Sequence, residues 1–145
     1  MKSKSFSIKV KERIKPFKKT IQVDSDKSIS IRTFLIGSIC ENVSTVTNVL
    51  ESEDVKSTIA ACKKLGVKIL KSGPGSYKIH GKGLGSLFAK KNTVINCFNS
   101  GTAARLLLGI LSTTPDIEIK ITGDSSLRKR SMKKIVQLMS KFGAT

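Results

Sequence analysis

Two stretches of this sequence share one pattern and decide its fold: Asp26-Lys27-Ser28-Ile29-Ser30-Ile31-Arg32 and Asn99-Ser100-Gly101-Thr102-Ala103-Ala104-Arg105. Each opens with an Asx residue that can cap a helix, continues with small or cationic residues, and places an arginine six positions later. The N-terminus of a helix carries unpaired N–H groups and a partial positive charge, so it attracts anions. Two such starts in one basic chain predict a pocket for a ligand that carries phosphate and carboxylate groups.

Helical and strand patterns alternate around these two starts. Helices are predicted at about residues 27–40, 52–65, 101–111 and 131–142, and strands at about 6–10, 20–23, 43–50, 67–70, 77–80, 93–97 and 117–121. The polar residues 123–130 are predicted to form a loop that leads into the last helix. The helix at 101–111 is apolar almost all round, which predicts that it is buried.

A second match along the chain indicates an internal repeat. A shift of 73 residues superimposes the two helix starts, and a shift of 77 places Leu65-Gly66 on Phe142-Gly143. The predicted unit is helix–strand–helix–strand–strand, followed by the strand that enters the next helix. Residues 1–23 are predicted to form two strands and a Lys-rich turn, residues 24–98 a complete unit, and residues 99–145 a second unit without its closing strands. The predicted fold class is therefore α/β, in an incomplete single domain.

Charge and cysteine content narrow the range of functions. Lysine and arginine outnumber the acids by 27 to 10, and the formal net charge of +17 attracts nucleic acid, acidic membranes or phosphorylated metabolites. No apolar run reaches the roughly 18–20 residues of a membrane helix, and the N-terminus does not have the apolar stretch of a signal peptide. Cys40, Cys62 and Cys97 are far apart in apolar contexts, which is typical of reduced core residues in a cytoplasmic protein and argues against a zinc site.

The residue types at the two starts suit a phosphorylated ligand. Lys27 and Ser28 place an ammonium and a hydroxyl in the first turn of the first helix, and Arg32 can lean back toward the same end. Gly101 lets a ligand approach the backbone closely, and the residues after it add a hydroxyl and a guanidinium. Each start can also be an ordinary capped helix on a basic surface, so the motifs alone leave both interpretations open.

Through these motifs the sequence resembles the EPSP synthases, the enolpyruvyl transferases of the shikimate pathway. The resemblance runs through both helix starts and through Ser52-Glu53-Asp54-Val55, Leu65-Gly66-Val67, Gly123-Asp124-Ser125-Ser126-Leu127, Arg130, Met132 and Phe142-Gly143-Ala144. It implies repeated units of the enolpyruvyl transferase type. It also implies transfer of the enolpyruvyl group of phosphoenolpyruvate to the 5-hydroxyl of shikimate 3-phosphate, without metal or organic cofactor.

The same resemblance implies roles for individual residues. Lys27, Ser28 and Arg32 would bind shikimate 3-phosphate, and the residues that would bind phosphoenolpyruvate are Lys27, Asn99, Gly101, Thr102, Arg105 and Arg130. The sequence departs from the family's usual pattern beside these positions, at Ile31, Phe98 and Ser131. Family members are considerably longer, and their acid and base residues lie largely beyond Thr145, so no catalytic residue is assigned. The chain alone is therefore expected to be weakly active or inactive.

Three hypotheses follow from these observations. The leading one is that the chain is the N-terminal portion of an EPSP synthase. Its expected partners are the two small-molecule substrates and the missing C-terminal part of the enzyme, and no association with a membrane is expected. The alternative is a basic α/β module that binds nucleic acid, although one Tyr, no Trp and no helix-turn-helix or zinc-finger signature argue against it. A third is a structural remnant that pairs with a separately encoded remainder through an exposed sheet edge.

Overall fold

Helices and strands alternate along the part of the chain that the computed structural model describes, which is residues 23–144 with Ser7, Lys9, Lys11, Pro16, Lys18, Thr20 and Ile21. The helices are α1 (Lys27–Ile39), α2 (Glu53–Lys64), α3 (Gly101–Leu111), α4 (Ser125–Lys129) and α5 (Lys133–Ser140). The strands are β1 (Val43–Val46), β2 (Lys68–Gly73), β3 (Ser76–His80), β4 (Thr93–Asn96) and β5 (Ile119–Thr122). The predicted α/β class is confirmed.

The predictions for the N-terminal segment fall mostly outside the described residues. The strand predicted at 6–10 and the Lys-rich turn around Pro16 lie almost entirely there. Thr20, Ile21 and Val23 are described and are not assigned to a strand, so the second predicted strand is not confirmed at these positions.

The start of α1 is fixed by Asp26, as its sequence predicts. The Asp26 Oδ1 accepts a hydrogen bond from the backbone N–H of Ile29 at 2.6 Å, which satisfies one of the unpaired donors of the helix N-terminus. The Ser30 hydroxyl donates to the Asp26 carbonyl (2.8 Å) and accepts from the Leu50 N–H (3.0 Å). The helix start is therefore tied both to its own cap and to the segment that follows β1.

Three strands of the first unit form an antiparallel sheet in the order β1-β3-β2, packed against α1 and α2. Val43 of β1 and Lys68 of β2 both lie opposite His80, so β3 is the central strand. A tight turn at Pro74–Gly75 joins β2 to β3, and Gly75 takes the positive φ of 57° that this turn requires. The inward-facing residues of this hairpin are buried: Ile69, Tyr77 and Ile79.

A separate two-stranded parallel sheet pairs β4, at the end of the first predicted unit, with β5 of the second predicted unit. β4 and β5 pair with Thr93 opposite Ile119 and Asn96 opposite Thr122, and α3 is the crossover between them. α3 packs against α1 and α5, while β4 packs against α2. The two predicted units are therefore joined both by the β4–β5 pairing and through their helices, and the starts of α1 and α3 belong to neighbouring helices.

One hydrophobic core connects the two units. Its fully buried side chains come from both sheets and from α1 and α3, as Phe34, Ile79, Ile95 and Leu107 illustrate. Ile31, one of the departures from the family pattern, is also fully buried in this core. That departure therefore falls inside the molecule and not on a surface that a ligand can reach.

Four predictions of local structure are wrong in part. The strand predicted at 43–50 ends at Val46, because Asn48 takes a left-handed φ of 55° and turns the chain. Residues 123–130, predicted to be a loop, contain α4, which Asp124 caps. The last helix is shorter than 131–142 and has no buried residue. α3 is buried on one face, whereas Arg105 on its other face is exposed.

Candidate functional site

The start of α3 is capped by Ser100 and not by Asn99, so the predicted Asx cap is wrong at the second helix start. The Ser100 hydroxyl accepts a hydrogen bond from the Ala103 N–H at 3.2 Å. Phe98, just upstream, takes a left-handed φ of 48° that re-aims the chain. The helix therefore begins at Gly101, as predicted, but Ser100 caps it, and the Asn99 side chain is available for other contacts.

Asn99 joins Asp124 to Arg130. Its Nδ2 donates to Asp124 Oδ2 at 2.7 Å, and its Oδ1 accepts from Arg130 Nη2 at 2.8 Å. Asp124 also caps α4 by accepting from the Leu127 N–H at 2.7 Å. The Leu127 N–H and then the Asn99 amide hold the pKa of the Asp124 carboxyl below its usual range, because both bonds favour the ionised form. Asn99 and the cap of α4 thus fix the position of the Arg130 guanidinium.

Two guanidinium groups meet above the first turn of α3, where Gly101 leaves room for them. A Cβ atom on Gly101 would lie 2.8 Å from Arg105 Nη1 and 2.9 Å from Arg130 Nη1. Arg105 Nη1 also donates to the Gly101 carbonyl oxygen at 3.4 Å. Among the described residues, the ion pairs are Lys27–Asp54, Lys56–Glu53 and Lys71–Glu51, so neither arginine takes part in one. Close cations at the positive end of a helix repel each other, and a bound anion would relieve that repulsion.

The start of α1 presents its cations differently. Lys27 Nζ lies 2.8 Å from Asp54 Oδ2, in the first turn of α2. Ser28 is partly exposed and Arg32 is exposed. The groove that Arg130 lines does not include Lys27, Ser28 or Arg32. A single cavity shared by both helix starts therefore stays a prediction, although α1 and α3 pack against each other.

Two acidic residues, Asp54 and Asp124, contribute to this geometry although neither was predicted to have a role in the site. Asp124 carries a recognisable signal, because an Asp three residues before a buried Leu is typical of a helix cap. Asp54 carries none for its contact with Lys27, since that pair joins two different helices and depends on how they pack. Thr102, a predicted binding residue, is partly exposed in the first turn of α3.

An open groove with a mixed lining of apolar and polar residues, Glu118, Thr122 and Arg130 among them, lies between α3, β5 and α5 and has a volume of about 1480 Å³. Apolar side chains from these elements line it: Leu108, Leu111, Ile121, Met132, Val136 and Met139. Gly143 and Ala144, which follow α5, line it as well. Among residues 24–98, the hairpin of β2 and β3 packs against α1, α2 and β1. The predicted repeat makes these the counterparts of α3, α5 and β5.

The cysteines are buried or partly buried thiols. Among the described residues all three are free, and burial raises the pKa of Cys62 and of Cys97 to about 11, so both are protonated near neutral pH. No group of three or more His, Cys, Asp or Glu side chains in the described part of the chain is placed to hold a metal ion. Across residues 23–144, no helix has the length and apolar character needed to cross a bilayer.

Known proteins match this chain over most of its length. The family model described as EPSP synthase (3-phosphoshikimate 1-carboxyvinyltransferase) matches residues 11–145. The 3-phosphoshikimate 1-carboxyvinyltransferase of Dinoroseobacter shibae is 42% identical over 130 residues, and that of Magnetococcus marinus is 43% identical over 125. These alignments cover 90% and 86% of this chain and 28% of each relative.

The fold is similar to that of a solved relative. The EPSP synthase from Acinetobacter baumannii superimposes with a TM-score of 0.78 at 38% identity, covering 86% of this chain and 28% of that one. The chain thus spans little more than a quarter of the length of the relatives it matches.

Proposed function

Because this chain belongs to the EPSP synthase family, we propose that it carries the N-terminal substrate-binding part of an enolpyruvyl transferase. The reaction is transfer of the enolpyruvyl group of phosphoenolpyruvate to the 5-hydroxyl of shikimate 3-phosphate. The observation that supports this most is the pair of guanidinium groups of Arg105 and Arg130 at Gly101, neither of which forms a direct ion pair with a carboxylate among the described residues. Phosphoenolpyruvate carries a phosphate and a carboxylate, and a guanidinium binds either group through two parallel N–H donors.

The other residues of the α3 start complete the proposed phosphoenolpyruvate site. Gly101 has no Cβ, so the ligand can approach the helix N-terminus between the two guanidiniums. Thr102 adds a hydroxyl, and Asn99 holds Arg130 in place through its 2.8 Å bond. Together they would keep fixed cations around the phosphate.

The start of α1 would bind the second substrate. Lys27, Ser28 and Arg32 offer an ammonium, a hydroxyl and a guanidinium to the phosphate of shikimate 3-phosphate, and Lys27 would also reach phosphoenolpyruvate. In the reaction the 5-hydroxyl adds to C2 of phosphoenolpyruvate, and phosphate then leaves from the tetrahedral intermediate. The acid and base residues for these proton transfers are expected beyond Thr145. We therefore propose that this chain binds substrates but turns them over weakly or not at all.

The partner that this proposal requires is the C-terminal part of the same type of enzyme, and the groove between α3, β5 and α5 supports it. α2 ends at Gly66, with a φ of 85°, and leads into the β2–β3 hairpin. α5 is followed in the same way by Gly143, with a φ of 89°, which lines the groove. A hairpin equivalent to β2–β3 would cover this groove and extend the β4–β5 sheet along β5, as β3 pairs with β1.

The proposed location is the cytoplasm. Cys62 and Cys97 are free thiols in the core, and thiols remain reduced in the cytoplasm whereas secreted domains usually pair their cysteines.

Isothermal titration of the purified 145-residue chain tests the proposal. We expect saturable binding of shikimate 3-phosphate, and of phosphoenolpyruvate in its presence. Arg130→Ala is expected to weaken phosphoenolpyruvate binding by about tenfold or more, because a hydrogen bond to a charged group contributes about 1.5–3 kcal/mol. Arg128→Ala is the matched control, since it removes the same charge from an exposed position of α4.

Two results would contradict the proposal. One is an equal loss of affinity in both arginine variants, which would mean that the net charge of the chain, and not the position of Arg130, determines phosphoenolpyruvate binding. The other is a wild-type chain that binds neither substrate. If such a chain instead bound nucleic acid with an affinity that falls steeply with salt, the nucleic-acid-binding module would be the better interpretation.

A further inference from the structure

The ion pair between Lys27 and Asp54 joins the first turns of two helices. Lys27 is the first residue of α1 and Asp54 the second residue of α2, and Lys27 Nζ lies 2.8 Å from Asp54 Oδ2. Asp54 belongs to the Ser52–Val55 motif, to which the proposed function gives no role.

The stability of α1 does not account for a lysine at this position. A cation in the first turn faces the positive end of the helix dipole, which is unfavourable, and Asp26 already caps the helix. Asp54 offsets this charge from a place where a carboxylate is itself favourable, the N-terminal turn of α2. The pair therefore keeps an ammonium where the helix geometry presents it to an anion.

The two partners differ in exposure. The Asp54 side chain is 17% exposed, whereas that of Lys27 is 50% exposed. An ammonium has three N–H donors, so one can point to Asp54 while the others remain open to a ligand. A lysine that is already held in place also loses less rotamer freedom when the ligand binds.

The backbone that carries the Asp54 carboxylate is fixed. The Asp54 carbonyl accepts hydrogen bonds from the Ser57 and Thr58 hydroxyls at 2.8 and 2.9 Å, and both of these residues are buried. The preceding residue, Glu53, is 85% exposed and pairs with Lys56 within its own helix at 2.9 Å. The same turn therefore contains one anchored carboxylate and one solvated carboxylate.

We propose that Asp54 is a positioning residue that holds the Lys27 ammonium in place for the phosphorylated substrate. This inference rests on the proposed function, because it takes Lys27 as a contact of shikimate 3-phosphate. Asp54 itself does not touch the substrate. It fixes the ammonium through one N–H donor and leaves the other donors for the phosphate.

Calorimetric titration with shikimate 3-phosphate tests this role in the 145-residue chain. Asp54→Asn keeps the side-chain shape, removes the charge, and is expected to weaken binding about five- to tenfold. Glu53→Gln removes a charge from the same turn and is expected to leave the affinity unchanged. In a Lys27→Met background, Asp54→Asn should cause no further loss, because the two residues act as one unit. Asp54→Glu retains the charge and should recover most of the affinity.

Each outcome separates the positioning role from the proposed function. Wild-type binding with unchanged affinity in Asp54→Asn overturns the positioning role alone, as does an equal loss in Glu53→Gln or an additive loss in the double variant. Absence of binding by the wild-type chain overturns both. Thermal unfolding of every variant is measured alongside, and an Asp54→Asn chain that does not fold would assign the ion pair to stability and overturn the positioning role.

Discussion

α2 and α5 occupy equivalent places in the predicted internal repeat, yet one is buried and the other is not. Leu65 at the end of α2 is 1% exposed, whereas Phe142, its counterpart 77 residues later, is 74% exposed. α2 packs against α1, β2 and β4, while α5 packs against α3. A stripe of apolar residues at helical spacing shows which face of a helix needs to be covered. The elements that cover it come from other parts of the fold.

The two helix starts differ in how their positive charge is balanced. At the start of α1, Lys27 pairs with Asp54. At the start of α3, Arg105 and Arg130 converge on Gly101, and the ion pairs of the described residues include neither of them. The cations therefore keep their positions in the predicted repeat while their partner changes, and we expect an added anion to bind more strongly at the second start.

Alanine substitutions at the matched positions of α2 and α5 test the difference in burial. We expect Leu65→Ala to lower the free energy of unfolding by about 2–5 kcal/mol, because it removes a fully buried side chain and leaves a cavity. Phe142→Ala is expected to change it by less than about 0.5 kcal/mol, as at other exposed positions. Urea unfolding followed by circular dichroism measures both values.

Similar losses of unfolding free energy in Leu65→Ala and Phe142→Ala would contradict the difference in burial, since they would mean that Phe142 is covered in solution. Self-association of the chain through the surface around Phe142 would have that effect. Analytical ultracentrifugation of the wild-type chain and Phe142→Ala would show it as a dimer that the substitution dissociates.

Local signals in the sequence predicted the parts of the fold that local interactions determine. Asp26 caps α1 and Gly66 ends α2 as predicted, because a carboxylate acceptor and a residue that tolerates positive φ are requirements of the helix ends themselves. Ser100 and not Asn99 caps α3, and the change accompanies the left-handed φ of Phe98. A bulky residue rarely adopts that conformation, so no sequence pattern predicted it.

Contacts between different helices and strands could not be predicted from local sequence patterns. The strand order β1-β3-β2 and the pairing of Lys27 with Asp54 depend on how the helices and sheets pack. The proximity of Gly101 and Arg130, across α3 and the end of α4, was implied by the family resemblance and by no periodicity. The exposed stripe of α5 could not be predicted, because the spacing of its apolar residues says nothing about what lies opposite them.

Two glycines of α3 sharpen the contrast between the binding face and the rest of that helix. Gly101→Ala is expected to weaken phosphoenolpyruvate binding about five- to tenfold, because the new Cβ would displace both guanidiniums and weaken their hydrogen bonds. Gly109 has no atom within 4 Å of an added Cβ. Gly109→Ala should leave the affinity unchanged and raise the free energy of unfolding by about 0.5–1 kcal/mol. Titration and urea unfolding of both variants measure these effects, and equal losses of affinity would refute the proposed site at Gly101.

The smallest expected effect is the response of the Arg130 arrangement to acid. The folded-state pKa of Asp124 lies below its ordinary value of 3.8, through the Leu127 N–H and the Asn99 amide. A depressed carboxyl pKa means that the stability contributed by this group is present above the unfolded value and is lost as the pH falls through the folded value. Asp124→Asn removes this titration, so we expect its melting temperature to fall less than that of the wild-type chain between about pH 5 and pH 3. The difference should be small because the group is solvated.

A control from the first unit distinguishes a local effect from a general one. The pKa of Glu51 is also lowered, first by its bond from Lys71 and then by the Tyr77 hydroxyl, so Glu51→Gln removes a comparable titration. Both substitutions should flatten the dependence of stability on pH in the acid range. Asp124→Asn alone should change how phosphoenolpyruvate affinity depends on pH, because Asp124 holds Asn99 and Asn99 holds Arg130. The same change in Glu51→Gln would show that acid acts on the whole fold, and the arginine arrangement would then have no separate sensitivity.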